Sequence, residues 1–155
     1  MTERCLAHGT AVAIGTRLGP RVVLLRGPSG SGKSDLALRL IDAGGQLVAD
    51  DQSELVRVGD EIVVRAPAAI AGLIEVRGIG IIRLDHLAEA PLALIADLVL
   101  TETIERLPPA RAERLLGLDL PLIALAPFEA SAAAKLRFAL RVFTEPGFPA
   151  LLAVE

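Results

Sequence analysis

One segment constrains the fold of this chain more than any other, the glycine-rich loop Gly27-Pro28-Ser29-Gly30-Ser31-Gly32-Lys33-Ser34. It matches the pattern G-x-x-x-x-G-K-[ST] at every fixed position and directly follows the apolar run 22–25. Glycines let consecutive backbone N–H groups turn toward phosphate oxygens, and a following helix adds the positive end of its dipole. The segment therefore predicts a strand, a phosphate-binding loop and a helix. The alternative is a connector that is merely rich in Gly and Ser.

Two side chains of this loop carry the expected chemistry. Lys33 should reach the β- and γ-phosphates of a nucleotide as a point charge, and the Ser34 hydroxyl can ligate the Mg²⁺ that bridges them. The remaining residues, 27–32, form the cradle with their backbone N–H groups. A nucleotide with β- and γ-phosphates, together with Mg²⁺, is therefore the ligand that we expect at this loop.

Hydrophobic periodicity predicts regular structure on both sides of the loop. The expected strands are residues 11–14, 22–26, 46–49, 54–58, 62–65, 75–82, 92–100 and 120–126. The expected helices are residues 33–43, stopped by Gly44-Gly45, and residues 130–143, with Leu136, Leu140 and Phe143 on one face. Residues 105–116 are predicted as a loop or a short helix. Two hairpins beside strand–loop–helix connections predict an α/β fold with a mixed sheet.

Composition narrows the class of protein further. A chain of 155 residues with 52% hydrophobic and 3% aromatic residues predicts a single domain, residues 1–155, with an aliphatic core. A net charge of −3 argues against a nucleic-acid-binding surface. The lone Cys5 has no internal disulfide partner, and the longest apolar run is broken by Pro91 and Asp97. We therefore expect a cytoplasmic protein that does not associate with membranes.

Acidic residues follow the predicted strand 46–49. Asp50 and Asp51 come at the carboxyl end of that strand, where α/β sheets usually bind their ligands. A buried carboxylate pair is costly, and such a pair often accepts a proton or holds a cation. The alternative is a solvated strand end or a helix N-cap.

Two further candidates are weaker when read alone. Glu75 and Arg77 are two apart on a predicted strand and should face the same side, which suits Mg²⁺ and phosphate. An exposed, salt-bridged strand is the alternative. His8 by itself indicates little, because a lone histidine is usually a surface or core residue.

Taken together, four motifs occur in one order that is typical of a known family. They are His8-Gly9-Thr10, the loop 27–34, Leu47-Val48-Ala49-Asp50-Asp51 and Glu75-Val76-Arg77-Gly78-Ile79-Gly80-Ile81-Ile82. In these motifs the chain resembles the catalytic domain of HPr kinase/phosphorylase, a bifunctional family that phosphorylates a regulatory serine of the phosphocarrier HPr. The resemblance implies a P-loop fold of the phosphoenolpyruvate-carboxykinase-like type and a homo-oligomer, commonly a hexamer.

The resemblance also implies roles for individual residues. It makes Asp51 the acceptor of the substrate serine proton, and the donor in phosphate-dependent dephosphorylation, with Asp50 in support. Lys33 matches the P-loop lysine, Ser34 and Glu75 match the Mg²⁺ ligands, and His8 matches the histidine beside the phosphates. Arg77, Gly78 and Gly80 match a loop that is implicated in both reactions.

This sequence departs from the family in three places. The turn before the loop is longer, with residues 17–20 as the apparent addition, and the separate N-terminal domain of the family is not expected here. The late motif Pro-x-[Lys/Arg]-x-Gly-Arg-Asn has no clear counterpart, because residues 127–133 contain no arginine. Lys135 or Arg137 is a candidate substitute, although a basic residue on an amphipathic helix more often lies at its solvated edge.

Three functions are consistent with these motifs. The first is a Mg-ATP-dependent serine kinase that acts on HPr, with dephosphorylation as an additional activity. The second is a P-loop kinase for a small metabolite, and the third is a regulatory module that binds ATP without transferring phosphate. Lys33, Asp51 and Glu75 favour an enzyme, and the missing arginine favours the module.

Overall fold

A computed structural model describes residues 3–147, which form eleven strands and two α-helices. The strands are β1 Arg4–His8, β2 Thr10–Thr16, β3 Gly19–Arg26, β4 Gln46–Ala49, β5 Gln52–Val58, β6 Glu61–Arg65, β7 Leu73–Val76, β8 Gly80–Arg83, β9 Glu89–Leu98, β10 Arg111–Leu115 and β11 Leu118–Leu125. The helices are α1 Lys33–Asp42 and α2 Ala132–Thr144, and short 3-10 turns lie at Ala68–Ile70 and Thr101–Thr103.

Nine strands form one mixed sheet, and β7 and β8 form a separate hairpin. The main path runs β1-β5-β6-β9-β3-β2-β4, and β11, which carries β10 on its other side, also pairs with β9. β9 is parallel to both β3 and β11, whereas the remaining pairs in the sheet are antiparallel. The carboxyl ends of β3, β9 and β11 therefore lie at one edge, where the glycine-rich loop begins.

The central strands are buried on both faces. On one face, Val12, Val23 and Leu94 pack against Leu36 and Leu40 of α1 and against α2. On the other face, a second cluster is formed by side chains from β2, β3, β4, β5, β6, β9 and β11. Burial on both faces explains why these strands are continuous apolar runs without polar alternation.

Helix α1 ends where the sequence predicts. The Ala43 N–H donates to the Arg39 carbonyl, and Gly44 has φ 106, a conformation that glycine adopts without steric cost. The chain then turns directly into β4. Within residues 3–147, no helix combines the length and apolar character that a membrane span requires.

The structure differs from the sequence analysis in four places. Residues 75–82 are not one strand, because β7 ends at Val76 and a turn precedes β8. Residues 105–116 are neither all loop nor helix, because residues 111–115 form β10. Strand β1 was not predicted, and Phe143 is 37% exposed and does not join Leu136 and Leu140 in the core. The other predicted elements are confirmed within a few residues of their ends.

Candidate active site

The glycine-rich loop connects β3 to α1, as its pattern predicts. Gly30 and Gly32 have φ values of 80 and 100, which an L side chain rarely adopts. A Cβ added to Gly27 would lie 2.5 Å from Ser31 Oγ. The three glycines are therefore required by backbone conformation or by close approach within the loop.

Lys33 lies at the start of α1 with only 6% of its surface exposed. Its Nζ donates hydrogen bonds to the carbonyl oxygens of Gly27, at 2.6 Å, and Pro28, at 3.2 Å. The ammonium group is thus held inside the curve of the loop, next to the backbone groups that would face a phosphate.

Asp50 connects three elements that meet beneath the loop. Its Oδ1 accepts hydrogen bonds from Thr10 Oγ1, at 3.1 Å, and from Ser34 Oγ, at 2.8 Å. Its Oδ2 accepts the backbone N–H of Glu75 at 3.1 Å. The carboxylate is 9% exposed, so these donors replace the water that burial removes.

Asp51 has a different environment from its neighbour. Its side chain is 60% exposed, and its Oδ1 lies 2.9 Å from Nε2 of His8. The backbone has φ 65, which is uncommon for a residue with a Cβ. Its N–H donates to Thr10 Oγ1 at 3.0 Å, which holds this conformation in place. The two acids are not buried together, as the cost of a buried pair requires.

The paired strands explain this arrangement. β1 and β2 are separated by Gly9 alone, and they pair with β5 and β4 on either side of Asp50 and Asp51. The ladder is interrupted between the pairs His8↔Gln52 and Ala11↔Ala49. A Cβ on Gly9 would lie 2.8 Å from the Leu25 carbonyl oxygen, so the strand crosses the end of β3 closely. The interruption places both acids and His8 beside the loop.

The hairpin of β7 and β8 supplies the remaining predicted residues. Glu75 is exposed on β7, and its backbone is joined to Asp50. Arg77 is exposed in the turn that follows, with Gly78 at φ 87 and Gly80 at φ 130. The expectation that Glu75 and Arg77 share one strand is wrong, because the strand ends at Val76.

The residues present fit a magnesium ion that is held largely by phosphate oxygens. Within residues 3–147, no group of three or more His, Cys, Asp or Glu side chains is arranged to hold a metal by itself. Mg²⁺ characteristically takes one or two protein carboxylates and completes its octahedron with phosphates and water. Because Ser34 Oγ donates its proton to Asp50, its lone pairs remain available to a cation.

The loop also contains an unsatisfied polar atom. Within the described residues, Ser31 Oγ is the buried side-chain oxygen or nitrogen that lacks a hydrogen-bond partner. Buried hydroxyls normally have one. An unpaired donor inside a glycine-rich loop with a buried lysine fits a site for a phosphorylated ligand.

An ion-pair network fixes the strand that enters the loop. Arg26, the last residue of β3, binds Asp97 through Nε at 2.8 Å and Glu113 through Nη2 at 2.8 Å. Because the guanidinium donates hydrogen bonds to Glu113 and Asp97, the pKa of Arg26 is raised even further above its ordinary value, and the group stays charged. Sequence analysis did not identify this network, because its three members lie on strands that are distant in sequence.

Two other site residues were missed. Thr10 is fully buried and links Asp50 to the backbone of Asp51, although sequence analysis used it only as part of a motif. Phe128 lies against the loop at Gly32. Of the proposed substitutes for the missing arginine, Lys135 pairs with Glu129 at 3.3 Å, and Arg137 is exposed on α2.

Comparison with known proteins agrees with this architecture. A family model described as the HPr Serine kinase C-terminal domain matches residues 1–90. An HPr kinase/phosphorylase of Xylella fastidiosa is 37% identical over 142 residues, which cover 81% of this chain and 43% of that protein. An HPr kinase/phosphorylase of Exiguobacterium sp. is 52% identical over 61 residues, or 39% of this chain and 20% of that protein.

A solved structure extends the similarity to most of the fold. The Hpr(Ser) kinase/phosphatase from Coxiella burnetii superposes with a TM-score of 0.77 at 28% sequence identity, covering 88% of this chain and 94% of that chain. The chain therefore belongs to the HPr serine kinase C-terminal domain family. The predicted mixed α/β fold is confirmed, and the P-loop type inferred from the resemblance fits the family. The chain spans less than half the length of the two relatives described above.

Proposed function

We propose that this chain is a Mg-ATP-dependent kinase that phosphorylates a serine of HPr. The observation that carries the proposal is that Asp50 joins the glycine-rich loop, through Ser34 Oγ, to Thr10 and so to the strand junction that bears the exposed Asp51–His8 pair. Lys33 belongs to the loop, whereas Asp51 and His8 stand at the interrupted ladder beside it. Phosphoryl transfer requires these two functions, charge stabilisation at the phosphate and a group that accepts the acceptor's proton.

The phosphate side is formed by residues 27–34. Mg-ATP, when bound, supplies the transferable γ-phosphoryl group and part of the positive charge that stabilises its transfer. The loop N–H groups and Lys33 bind the phosphate oxygens, and Ser34 is held by Asp50 with its oxygen free to ligate. Glu75 supplies the exposed carboxylate that we assign to the metal.

The acceptor side is formed by Asp51 and His8. A serine on a protein surface reaches only an exposed base, and Asp51 is exposed whereas Asp50 is buried and fully hydrogen-bonded. Asp51 therefore takes the serine proton at its carboxylate, and Asp50 has a structural role. His8 orients the Asp51 carboxylate through the contact at Oδ1.

The same groups serve the reverse reaction. Inorganic phosphate attacks the phosphorus of phosphoserine, the bond from phosphorus to the serine oxygen breaks, and pyrophosphate forms. A protonated Asp51 gives its proton to the departing serine oxygen. We therefore include phosphate-dependent dephosphorylation in the proposal as a second activity of one site. A homo-oligomer, up to a hexamer, and a cytoplasmic location remain predictions from the sequence.

ADP formation tests this proposal. The protein is incubated with Mg-ATP alone, with Mg-ATP and purified HPr, and with Mg-ATP and a set of hydroxyl-bearing metabolites. We expect ADP to form at a rate that depends on HPr. ATP turnover with a metabolite alone would indicate a small-molecule kinase, and ATP binding without any turnover would indicate a regulatory module.

A further inference from the structure

Phe128 lies directly on the glycine-rich loop although its ring is largely exposed. A Cβ added to Gly32 would lie 3.0 Å from the ring Cζ and 3.1 Å from Cε1, and 3.3 Å from Pro127 Cβ. The side chain nevertheless remains 72% exposed. One part of the ring thus covers the last glycine of the loop, and the rest is open to a ligand.

Arg39 of α1 holds the segment that carries this ring. Its guanidinium donates to the carbonyl oxygens of Pro127 and Glu129, the residues on either side of Phe128. The same group pairs with Asp35 at 3.0 Å on the first turn of α1. Because the loop and Arg39 belong to one continuous loop–helix unit, the backbone that carries Phe128 is tied to the same unit as the phosphate cradle.

The position of Phe128 in the fold also indicates a ligand. β3, β9 and β11 are parallel, and their carboxyl ends lie at the same edge of the sheet. The loop follows β3 and Phe128 follows β11, so both lie on the side where open α/β sheets bind ligands. A planar aromatic surface beside an anion cradle is suited to a ligand that joins a planar ring to phosphates.

We propose that Phe128 stacks on the base of the nucleoside triphosphate bound by residues 27–34, and that Arg39 is the residue that positions it. This inference rests on the proposed function, which requires the loop to bind such a triphosphate. It assigns the base to a segment beyond residues 1–90, the part matched by the family model.

Binding of two ligands separates stacking from phosphate recognition. The affinity of the whole chain is measured calorimetrically for Mg-ATP and for Mg-tripolyphosphate, which carries the phosphates without a base. For Phe128→Ala we expect the dissociation constant of Mg-ATP to rise between about 5-fold and about 150-fold, the range for loss of base–aromatic stacking. The dissociation constant of tripolyphosphate should remain unchanged.

Four further variants complete the test. Phe128→Trp should keep the affinity for Mg-ATP, whereas Phe128→Leu, which still covers Gly32, should lose it. Phe143→Ala also removes an exposed ring, but this ring lies near the far end of α2, about 16 Å along the helix from Ala132. It should change neither affinity. Arg39→Ala should weaken binding of Mg-ATP more than binding of tripolyphosphate, because it releases the segment and not the loop.

The outcomes distinguish this inference from the proposed function. Equal weakening of both ligands in Phe128→Ala and Phe128→Leu would show that the ring only supports the loop, and would overturn the inference. Unchanged Mg-ATP affinity in Phe128→Ala would overturn it as well. In both cases the parent still binds tripolyphosphate and the proposed function stands, whereas a parent that binds neither ligand contradicts both.

Discussion

Nε2 of His8 and Oδ1 of Asp51 lie 2.9 Å apart, at the point where the ladder of β1 and β2 with β5 and β4 is interrupted. Asp51 has a left-handed backbone, with φ 65, and its carboxylate is exposed. Backbone strain of this kind is concentrated at functional sites. The neighbouring acid, Asp50, stays buried and joins Thr10, Ser34 and the Glu75 backbone.

Asp51→Asn should separate transfer from binding. The substitution keeps the shape of the side chain and removes its basicity, and a positioned base typically contributes about 10²- to 10⁴-fold. We expect transfer to HPr to fall by that order while the dissociation constant of Mg-ATP changes little. Phosphate transfer sampled at fixed times measures the rate, and calorimetry measures the dissociation constant. Transfer within a few-fold of the parent would show that the serine proton leaves by another route.

Asp50→Asn is the matched comparison. In the parent, the Asp50 carboxylate accepts hydrogen bonds from the Thr10 and Ser34 hydroxyls and from the Glu75 N–H. An amide replaces one of the accepting oxygens by an NH₂ group, which cannot accept from these donors. We expect a loss of about 1–3 kcal/mol in the free energy of unfolding, the cost of leaving buried polar groups unsatisfied. Denaturant unfolding measures it, and an unchanged midpoint would contradict the structural role of Asp50.

Lys33→Met should reduce transfer by at least about 100-fold, because the charge that stabilises the phosphoryl group is lost. Arg114→Met, which removes an exposed cation of β10, serves as the control. The buried hydrogen bonds to Gly27 and Pro28 are also lost, so a modest decrease in stability accompanies the effect. If the Lys33→Met variant and the control variant transfer phosphate at the same rate, the glycine-rich loop is not the catalytic site.

Glu75→Gln should raise the Mg²⁺ concentration needed for half-maximal activity by roughly tenfold or more, because a hard cation loses an anionic ligand. The backbone N–H that binds Asp50 is retained, so unfolding stability should be unchanged. Glu61→Gln, at an exposed position of β6, is the control. A flat response to Mg²⁺ titration in Glu75→Gln would remove this residue from the metal site.

Glu145 provides a test that depends on pH and not on activity. The hydrogen bond from Arg141 Nε, aided by the Arg17 N–H, holds the pKa of this carboxyl below its ordinary value. A lowered folded-state pKa stabilises the fold above the unfolded pKa, and this contribution is lost as the pH falls below about 5 through the folded value. The melting temperature of the parent should therefore fall more steeply with acidification than that of Glu145→Gln. If the melting temperatures of the parent and of Glu145→Gln depend on pH in the same way, the stabilising role of the Glu145 carboxylate is contradicted.

The phosphate side of the site could be predicted from sequence because its signals are local. Glycine placement, the apolar strand before the loop and the helical period after it are all contained within residues 22–43. The short aliphatic strands were recognisable for the same reason. β1 and β10 were missed because both are largely exposed and mixed in polarity, and they are defined by pairing with β5 and β11.

The acceptor side could be predicted only in part. The sequence pattern and the family resemblance identified Asp50, Asp51 and His8, but the division of roles between the acids depends on the φ angle of Asp51 and on Thr10. Neither is readable from residue order. The contact of Phe128 with Gly32 depends on the parallel arrangement of β3, β9 and β11, which is a property of the whole sheet.

Mapping of transferred phosphate tests the central proposal most directly. Purified HPr is incubated with this chain, Mg²⁺ and ATP labelled at the γ-phosphate, and the labelled peptide is then identified. We expect the label on one serine of HPr with the parent chain, strongly reduced label with Lys33→Met or Asp51→Asn, and none when that serine is replaced by alanine. Absence of label from HPr under conditions in which the parent binds Mg-ATP would contradict the assignment of this chain as an HPr serine kinase.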